Sequence, residues 1–221
     1  MAKFEVKNGN GIIPEGTTEI YHESFEGCED LESIEFPDSV MIIHACAFED
    51  CKSLKSIEFK GDIMIIGAEA FINCTNLTSV VFRKDVMKIE CNAFEGCTSL
   101  ENLKFREGIM RIGNWAFKNC IGLSSIFIPY TVSDLSATAF IGCTGIETIQ
   151  FGGWMICDMY WLIVAMTSAG EGGVGGHLKK ILVPKGAVEF YRNQMMKTYE
   201  LRHDGDLDRK YASLIEEATT R

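Results

Sequence analysis

The chain has 221 residues, with 31 acidic against 21 basic side chains for a net charge of −10; 47% of residues are hydrophobic and 24% charged. So much apolar surface excludes a disordered chain, and 4 prolines beside 21 glycines exclude collagen-like and proline-rich readings. An acidic chain gains no counterion-release term on phosphate backbones and is disfavoured at anionic membranes, so neither nucleic acid nor membrane insertion is expected.

The chain opens Met1-Ala2-Lys3-Phe4-Glu5, which turns polar at once and offers no apolar core for a secretory leader. Phe4-Glu5-Val6 is predicted to be a short capping strand, followed by a turn over Gly9 to Gly11. Residues 1–11 thus form an N-terminal cap.

Residues 12–153 are dominated by one period. Cysteines stand at Cys28, Cys51, Cys74, Cys97, Cys120 and Cys143, each 23 residues after the last. Three residues before each is a phenylalanine, from Phe25 to Phe140, preceded by a small residue, from Ser24 to Ala139. After each cysteine, apolar residues recur three, six and eight positions on, as in Leu54, Ile57 and Phe59. Eight before it come Ile20, Ile43, Ile66, Ile89, Ile112 and Leu135. A 23-residue unit is too short to bury its own apolar face, but stacked on its neighbours it shares a continuous core. The alternation Ile34-Glu35-Phe36 predicts a strand with isoleucine and phenylalanine inward. Identical strands one coil apart then make a parallel sheet with about 4.8 Å between neighbours. A second short extended piece precedes each Ala-Phe, which is itself a tight turn.

The pattern Val-x-x-Ile-x-x-x-Ala-Phe-x-x-Cys-x-x-Leu-x-x-Ile-x-Phe resembles the BspA-like (Treponema pallidum type) leucine-rich repeat family over residues 12–151. The end of the chain fits too: Leu178 to Val183, Pro184, Gly186 and the stretch to Arg192 resemble the closing strand, turn and helix of many members. The resemblance implies an α/β repeat solenoid: a right-handed leucine-rich-repeat coil with parallel strands and a helical C-terminal cap. It also implies a protein-binding or adhesion role, and it carries over no catalytic residue.

Residues 154–221 are expected to form that cap. Residues 154–168 are apolar nearly all round and read as a buried helix. Gly170-Glu-Gly-Gly-Val-Gly-Gly176 lacks the lysine-serine ending of a phosphate loop and reads as a linker. A last strand over 178–183, a helix from Ala187 to about Leu201, and a final helix from Asp206 to about Ala218 follow.

Nine cysteines raise the question of disulfides or metal. Stacked ladder cysteines would sit about 4.8 Å apart, whereas a disulfide wants Cβ atoms about 3.8 Å apart. Zinc needs four converging ligands, and a line does not converge. Free thiols are expected, with no metal and no cofactor. That number of thiols favours a reducing compartment, so the chain alone points to the cytoplasm; removal of a leader would point instead to the cell surface or secretion.

The four histidines read as surface residues, and no nucleophile has a histidine placed by a recognisable motif, so no enzyme is expected. The outward strand column, Glu35, Glu58, Val81, Lys104, Phe127 and Gln150, should form one exposed stripe, with Arg83, Arg106 and Tyr130 just beyond the strand ends. Within it Val81, Arg83, Lys104, Arg106, Phe127 and Tyr130 are the candidates for a protein partner's contact surface, because aromatic and arginine side chains carry such interfaces. A second column, Met41, Met64, Met87 and Met110, either fills core or presents a soft apolar strip for a homodimer; the alternative to partner binding is a self-associating module, through that strip or by stacking end to end at the solenoid ends.

Overall fold

The computed structural model describes residues 4–154, 162–163, 177–197 and 210–218. Two faces of mostly parallel strands run along the repeats, built from three sheets. The main face begins with β1 (Glu5–Lys7) and β2 (Asn10–Ile12), an antiparallel hairpin. It continues through β4 (Ser33–Phe36), β6 (Ser56–Phe59), β8 (Ser79–Phe82) and β10 (Asn102–Lys104). The second sheet holds the shorter pieces: β3 (Glu19–Ile20), β5 (Ile42–Ile43), β7 (Ile63–Ile66), β9 (Val86–Ile89), β11 (Arg111–Ile112) and β13 (Asp134–Leu135). A third sheet carries the main face onward with β12 (Ser125–Ile128), β14 (Thr148–Phe151), β15 (Lys180–Val183) and β16 (Ile215–Glu217).

The sequence period is the structural register. Ile34 pairs with Ile57 and Ile57 with Val80, while Ile43 pairs with Ile66 and Ile66 with Ile89. Each column of identical residues therefore becomes a row of contacts. Phe25, Phe48, Phe71, Phe94, Phe117 and Phe140 stack ring on ring at centroid spacings of 4.8–5.2 Å. A second stack of Phe36, Phe59 and Phe82 meets it edge-on. Offset and edge contacts of this kind add to the apolar burial of each ring.

The small residue before each phenylalanine has a main-chain reason as well as a packing one. The phenylalanine N–H bonds the carbonyl of the alanine one coil further on, as in Phe48 N to Ala70 O and Phe71 N to Ala93 O, both 2.8 Å. The coils must approach closely to make that bond, and each alanine is fully buried.

Among the described residues the eight cysteines are free, and the five buried ones are explained by the same ladder. Each buried thiol donates to the phenylalanine carbonyl 26 residues earlier: Cys51 to Phe25 at 2.9 Å, Cys74 to Phe48 at 3.2 Å, Cys97 to Phe71 at 3.3 Å. A small, weak donor fits a position that is apolar apart from one exposed carbonyl lone pair.

The ends correct two expectations and bear out a third, the helix expected from Ala187, over the residues described. The N-terminal turn lies at Asn8–Gly9, both with positive φ, as a tight hairpin of the primed type requires; Gly11 sits inside β2. Near the C-terminus the helix is α1 (Val188–Lys197). The expected final helix is instead a helical turn at Lys210–Ala212 leading into β16, which pairs parallel to β15. Tyr211 and Ile215 are buried as a helix face would have buried them, but Ile215 does so as a strand residue beside Ile181. The expected helix over 154–168 and the linker 170–176 lie outside the described residues, apart from Trp154 and the buried helical pair Leu162 and Ile163.

Candidate interaction face

Strand pairing sets the outward column. Glu35 pairs with Glu58, Glu58 with Val81, and Val81 with Lys104, so these side chains project in file from one face. Phe127 and Gln150 continue the file in the third sheet. Arg83, Arg106 and Tyr130 lie just past their strand ends. The six residues singled out for partner contact thus share one face, across three successive coils.

Their environments differ. Glu35 pairs with Lys60 at 2.8 Å, and Glu58 with the Nε of Arg83 at 2.7 Å. The hydrogen bond from Arg83 holds the Glu58 carboxyl below its usual range, and the same pair raises Arg83. Both pairs join residues 25 positions apart. The next member of that series would join position 81 to Arg106. Position 81 is valine, and Arg106 gives its guanidinium to the Arg83 carbonyl instead. Among the described residues neither Arg106 nor Lys104 has a carboxylate partner.

The aromatic end of the stripe is partly covered. Tyr130 is 64% exposed, but Phe127 is only half-exposed, which corrects the expectation of a fully exposed ring. The cause is the pair Gly152–Gly153 one coil on. A Cβ at Gly152 would lie 2.9 Å from Cζ of Phe127, and one at Gly153 would lie 2.4 Å from Cβ of Tyr130. The glycines are thus required for the aromatics to lie where they do. Composition showed them only as the point where the repeat stops. Beside them Trp154 is 59% exposed and packs on Phe190 at 5.3 Å, an aromatic neighbour that the column pattern did not reveal.

Two hollows lie on this face. One, of about 730 Å³, covers the N-terminal half along Asn10, Ser33, Ser56 and Ser79, beside Glu35 and Glu58. The other, of about 320 Å³, lies between β10 and β12 and is bordered by Lys104 and Phe127.

The methionine column belongs to the second sheet. Met41, Met64, Met87 and Met110 are 39–45% exposed, so each is partly buried and partly open to solvent. The N–H of Met64 bonds the carbonyl of Met41, and that of Met110 bonds Met87, which keeps the four in line.

Elsewhere, His44 meets Glu19 at 2.8 Å and stacks on Tyr21, while His22 meets Glu23; His177 is exposed and His203 lies outside the described residues. Cys46, Glu49 and Glu69 each bring one atom able to bind a metal within 4.8 Å of the others, a grouping the sequence period hides. Burial and then the two carboxylates push the Cys46 thiol up to about 12, so near neutral pH it is protonated and not ready to ligate. No described helix is long and apolar enough to cross a membrane.

A family model described as the BspA type leucine rich repeat region matches six copies over residues 18–147, more than half of the chain. No curated protein matches. Among solved structures, the chain is 26% identical to a leucine rich cell surface protein from Faecalibacterium prausnitzii A2-165, covering 62% of this chain and 43% of that one with a TM-score of 0.50. A leucine rich repeat protein of T. pallidum is 24% identical over 54% of this chain and 58% of its own, also with a TM-score of 0.50. One from Eubacterium ventriosum is 24% identical over 62% of this chain and 35% of its own, with the same TM-score. The chain spans less than two thirds of each of these proteins, and the latter two likenesses show the fold alone.

Proposed function

The chain belongs to the BspA-type leucine-rich repeat family, and from that premise we propose that it is a non-catalytic binding module which holds a protein partner on its main strand face. The observation that carries this reading is the stretch from Val81 to Tyr130. There the repeating ion pairs stop, Lys104 and Arg106 are left without carboxylates, and Tyr130 stands exposed beside Phe127. Cations without partners next to aromatic rings have the composition of an interface core, whereas the paired glutamates before them have that of a solvated surface. A flat, regular sheet suits a macromolecular partner better than a small substrate, which needs an enclosed cleft. The likeness to a protein named as a cell surface protein supports an adhesin-like setting for such a face.

The test is capture of partners from lysate of the source organism. The wild-type chain and a Lys104→Ala/Arg106→Ala/Tyr130→Ala variant of equal stability are compared. Proteins retained by the first and lost by the second are expected. Identical retained sets would refute the reading.

A second reading has one specific observation in its favour. The exposed tips of Met41, Met64, Met87 and Met110 form a continuous soft strip on the second sheet, which suits self-association between copies.

A further inference from the structure

We propose that Cys46, Glu49 and Glu69 form a binding site for a single divalent metal ion of the zinc class, held between two coils at the turn edge of the solenoid. The site lies away from both strand faces and does not rest on the function proposed above.

The donors converge. Cys46 and Glu49 lie in the turn that follows β5, and Glu69 lies in the turn that follows β7, one coil on. The Sγ of Cys46 and one carboxylate oxygen from each glutamate all lie within 4.8 Å of one another. Donors about 2.0–2.3 Å from one tetrahedral ion stand roughly 3.5 Å apart, so the side chains draw in by about 1 Å to share it. The main chain beneath them is fixed. Cys46 N donates to Ala68 O at 3.1 Å, which ties the two turns together. Glu49 N donates to Cys46 O at 3.2 Å and Glu69 N to Cys91 O at 3.0 Å. Side chains on a scaffold of this kind keep their relative places without a ligand.

The repeat shows what is unusual here. Elsewhere a carboxylate on one coil meets a cation on the next: Glu32 meets Lys55 at 2.6 Å and Glu95 meets Lys118 at 2.7 Å, each 23 residues on. Glu49 has the coil position of Glu95, but where Glu95 finds Lys118 the next coil gives Glu49 an isoleucine, Ile72. Cys46 in turn finds Glu69 one coil on. Among the described residues no ion pair reaches Glu49 or Glu69. Two carboxylates and a thiol therefore face one another with no protein cation between them. Cys46 is itself free and half-buried, and it stands outside the ladder whose thiols are engaged with phenylalanine carbonyls.

The donor set selects the ion. A thiolate with carboxylates suits a borderline-soft ion such as zinc. Calcium and magnesium take all-oxygen shells of higher number. Three protein ligands leave a fourth position to water. As the metal–sulfur bond forms the S–H bond breaks, and its proton passes to solvent.

The experiment uses the full reduced chain at about pH 8.5, where the thiol proton is displaced more readily than near neutrality, and Co2+ as the probe. Thiolate-bound cobalt gives a sulfur-to-metal charge-transfer band in the near ultraviolet. A single Co2+ per chain should saturate that band; Zn2+ should displace it, and Ca2+ and Mg2+ should not. Cys46→Ser should abolish the band. Glu49→Gln and Glu69→Gln should keep it but weaken binding by about tenfold or more each. Cys91→Ser, in the neighbouring turn, should change neither. Circular dichroism checks the fold of every variant, and should Cys46→Ser fail to fold, the two glutamine variants decide the matter. A band that survives Cys46→Ser would place the metal on another thiol and overturn the proposal. So would wild-type affinity in both glutamine variants, equal displacement by Ca2+, or no saturable binding below about 1 mM Co2+.

Discussion

The cysteine ladder makes the fold sensitive to alkali. Burial raises the pKa of the Cys51, Cys74, Cys97 and Cys120 thiols, bringing Cys51 to about 12 from an ordinary value of 9.0. The direction of the effect follows from linkage. A group whose folded pKa is raised contributes its full share below the unfolded pKa and loses it as pH climbs toward the folded one. At pH 10 an unfolded thiol has largely ionised while the buried one has not, which costs about 1.4 kcal/mol for each. Four such thiols cost about 6 kcal/mol, comparable with the whole stability of an ordinary domain, about 5–15 kcal/mol. Urea unfolding between pH 7.5 and 10.5 under reducing conditions, followed by circular dichroism, measures it. Stability is expected to hold to about pH 8.5 and then fall steeply. Each single Cys→Ala change in the ladder should lower the starting stability but remove about a quarter of that fall. A loss under about 1 kcal/mol between pH 8 and 10, or an unchanged slope in the alanine variants, would refute the claim that these thiols stay buried and protonated.

Other outcomes follow from the same rows of contacts. Phe71 is fully buried between Phe48 and Phe94, so Phe71→Ala should cost about 3–5 kcal/mol in chemical denaturation; a loss under about 1 kcal/mol would remove the column from the core. Glu58→Ala breaks a solvent-screened pair and should cost less than about 1 kcal/mol at pH 7. Since the Glu58 carboxyl is held low by Arg83, that small difference is present above the ordinary carboxylate range, fades as pH falls through it and is gone only below the lowered folded pKa; a difference that grows on acidification would contradict the pairing. If the methionine strip joins copies, Met64→Glu with Met87→Glu should abolish dimers in sedimentation and leave unfolding midpoints close to wild type. Dimers that survive the double change would exclude the strip.

The period was legible because every core column is a contact row. A parallel solenoid turns sequence spacing into register, so Phe25 to Phe140 could be placed in one stack by counting 23 residues at a time. The stripe was legible for the same reason, since Glu35, Glu58, Val81 and Lys104 share a position in the coil. What failed lay where the period fails. Ile215 has the spacing of a helix face and sits in a strand, because the edge of β15 offers ladder bonds that a helix would leave unmade. The break in strand pairing between β10 and β12 was hidden because Leu103 and Ile126 continue the core columns without interruption. The half-covered Phe127 needed the contact with Gly152, which column counting across a single chain position does not supply.

The ends bear on how such a chain associates. An open sheet edge invites another strand unless charge opposes it. β1 presents exposed Glu5 and Lys7 at one end. At the other end β16 presents exposed Glu216 and Glu217. Lys180 reaches Glu216 at 3.6 Å, and the Gly186 N–H donates to Glu217 at 2.9 Å. The acids of the last strand are therefore engaged with the preceding turn and strand. To add a further strand from a second copy would mean pairing against a row that carries two carboxylates and is packed on by α1. Charge on these two strands opposes a further strand pairing against them. Among the described residues, the sides of the solenoid carry the methionine strip along one sheet and the cations Lys104 and Arg106, without carboxylate partners, on the other. Because the two lie on different sheets, a copy bound at the first leaves the second open to a partner, and the Met64→Glu/Met87→Glu and Lys104→Ala/Arg106→Ala/Tyr130→Ala variants should each impair one kind of contact while sparing the other.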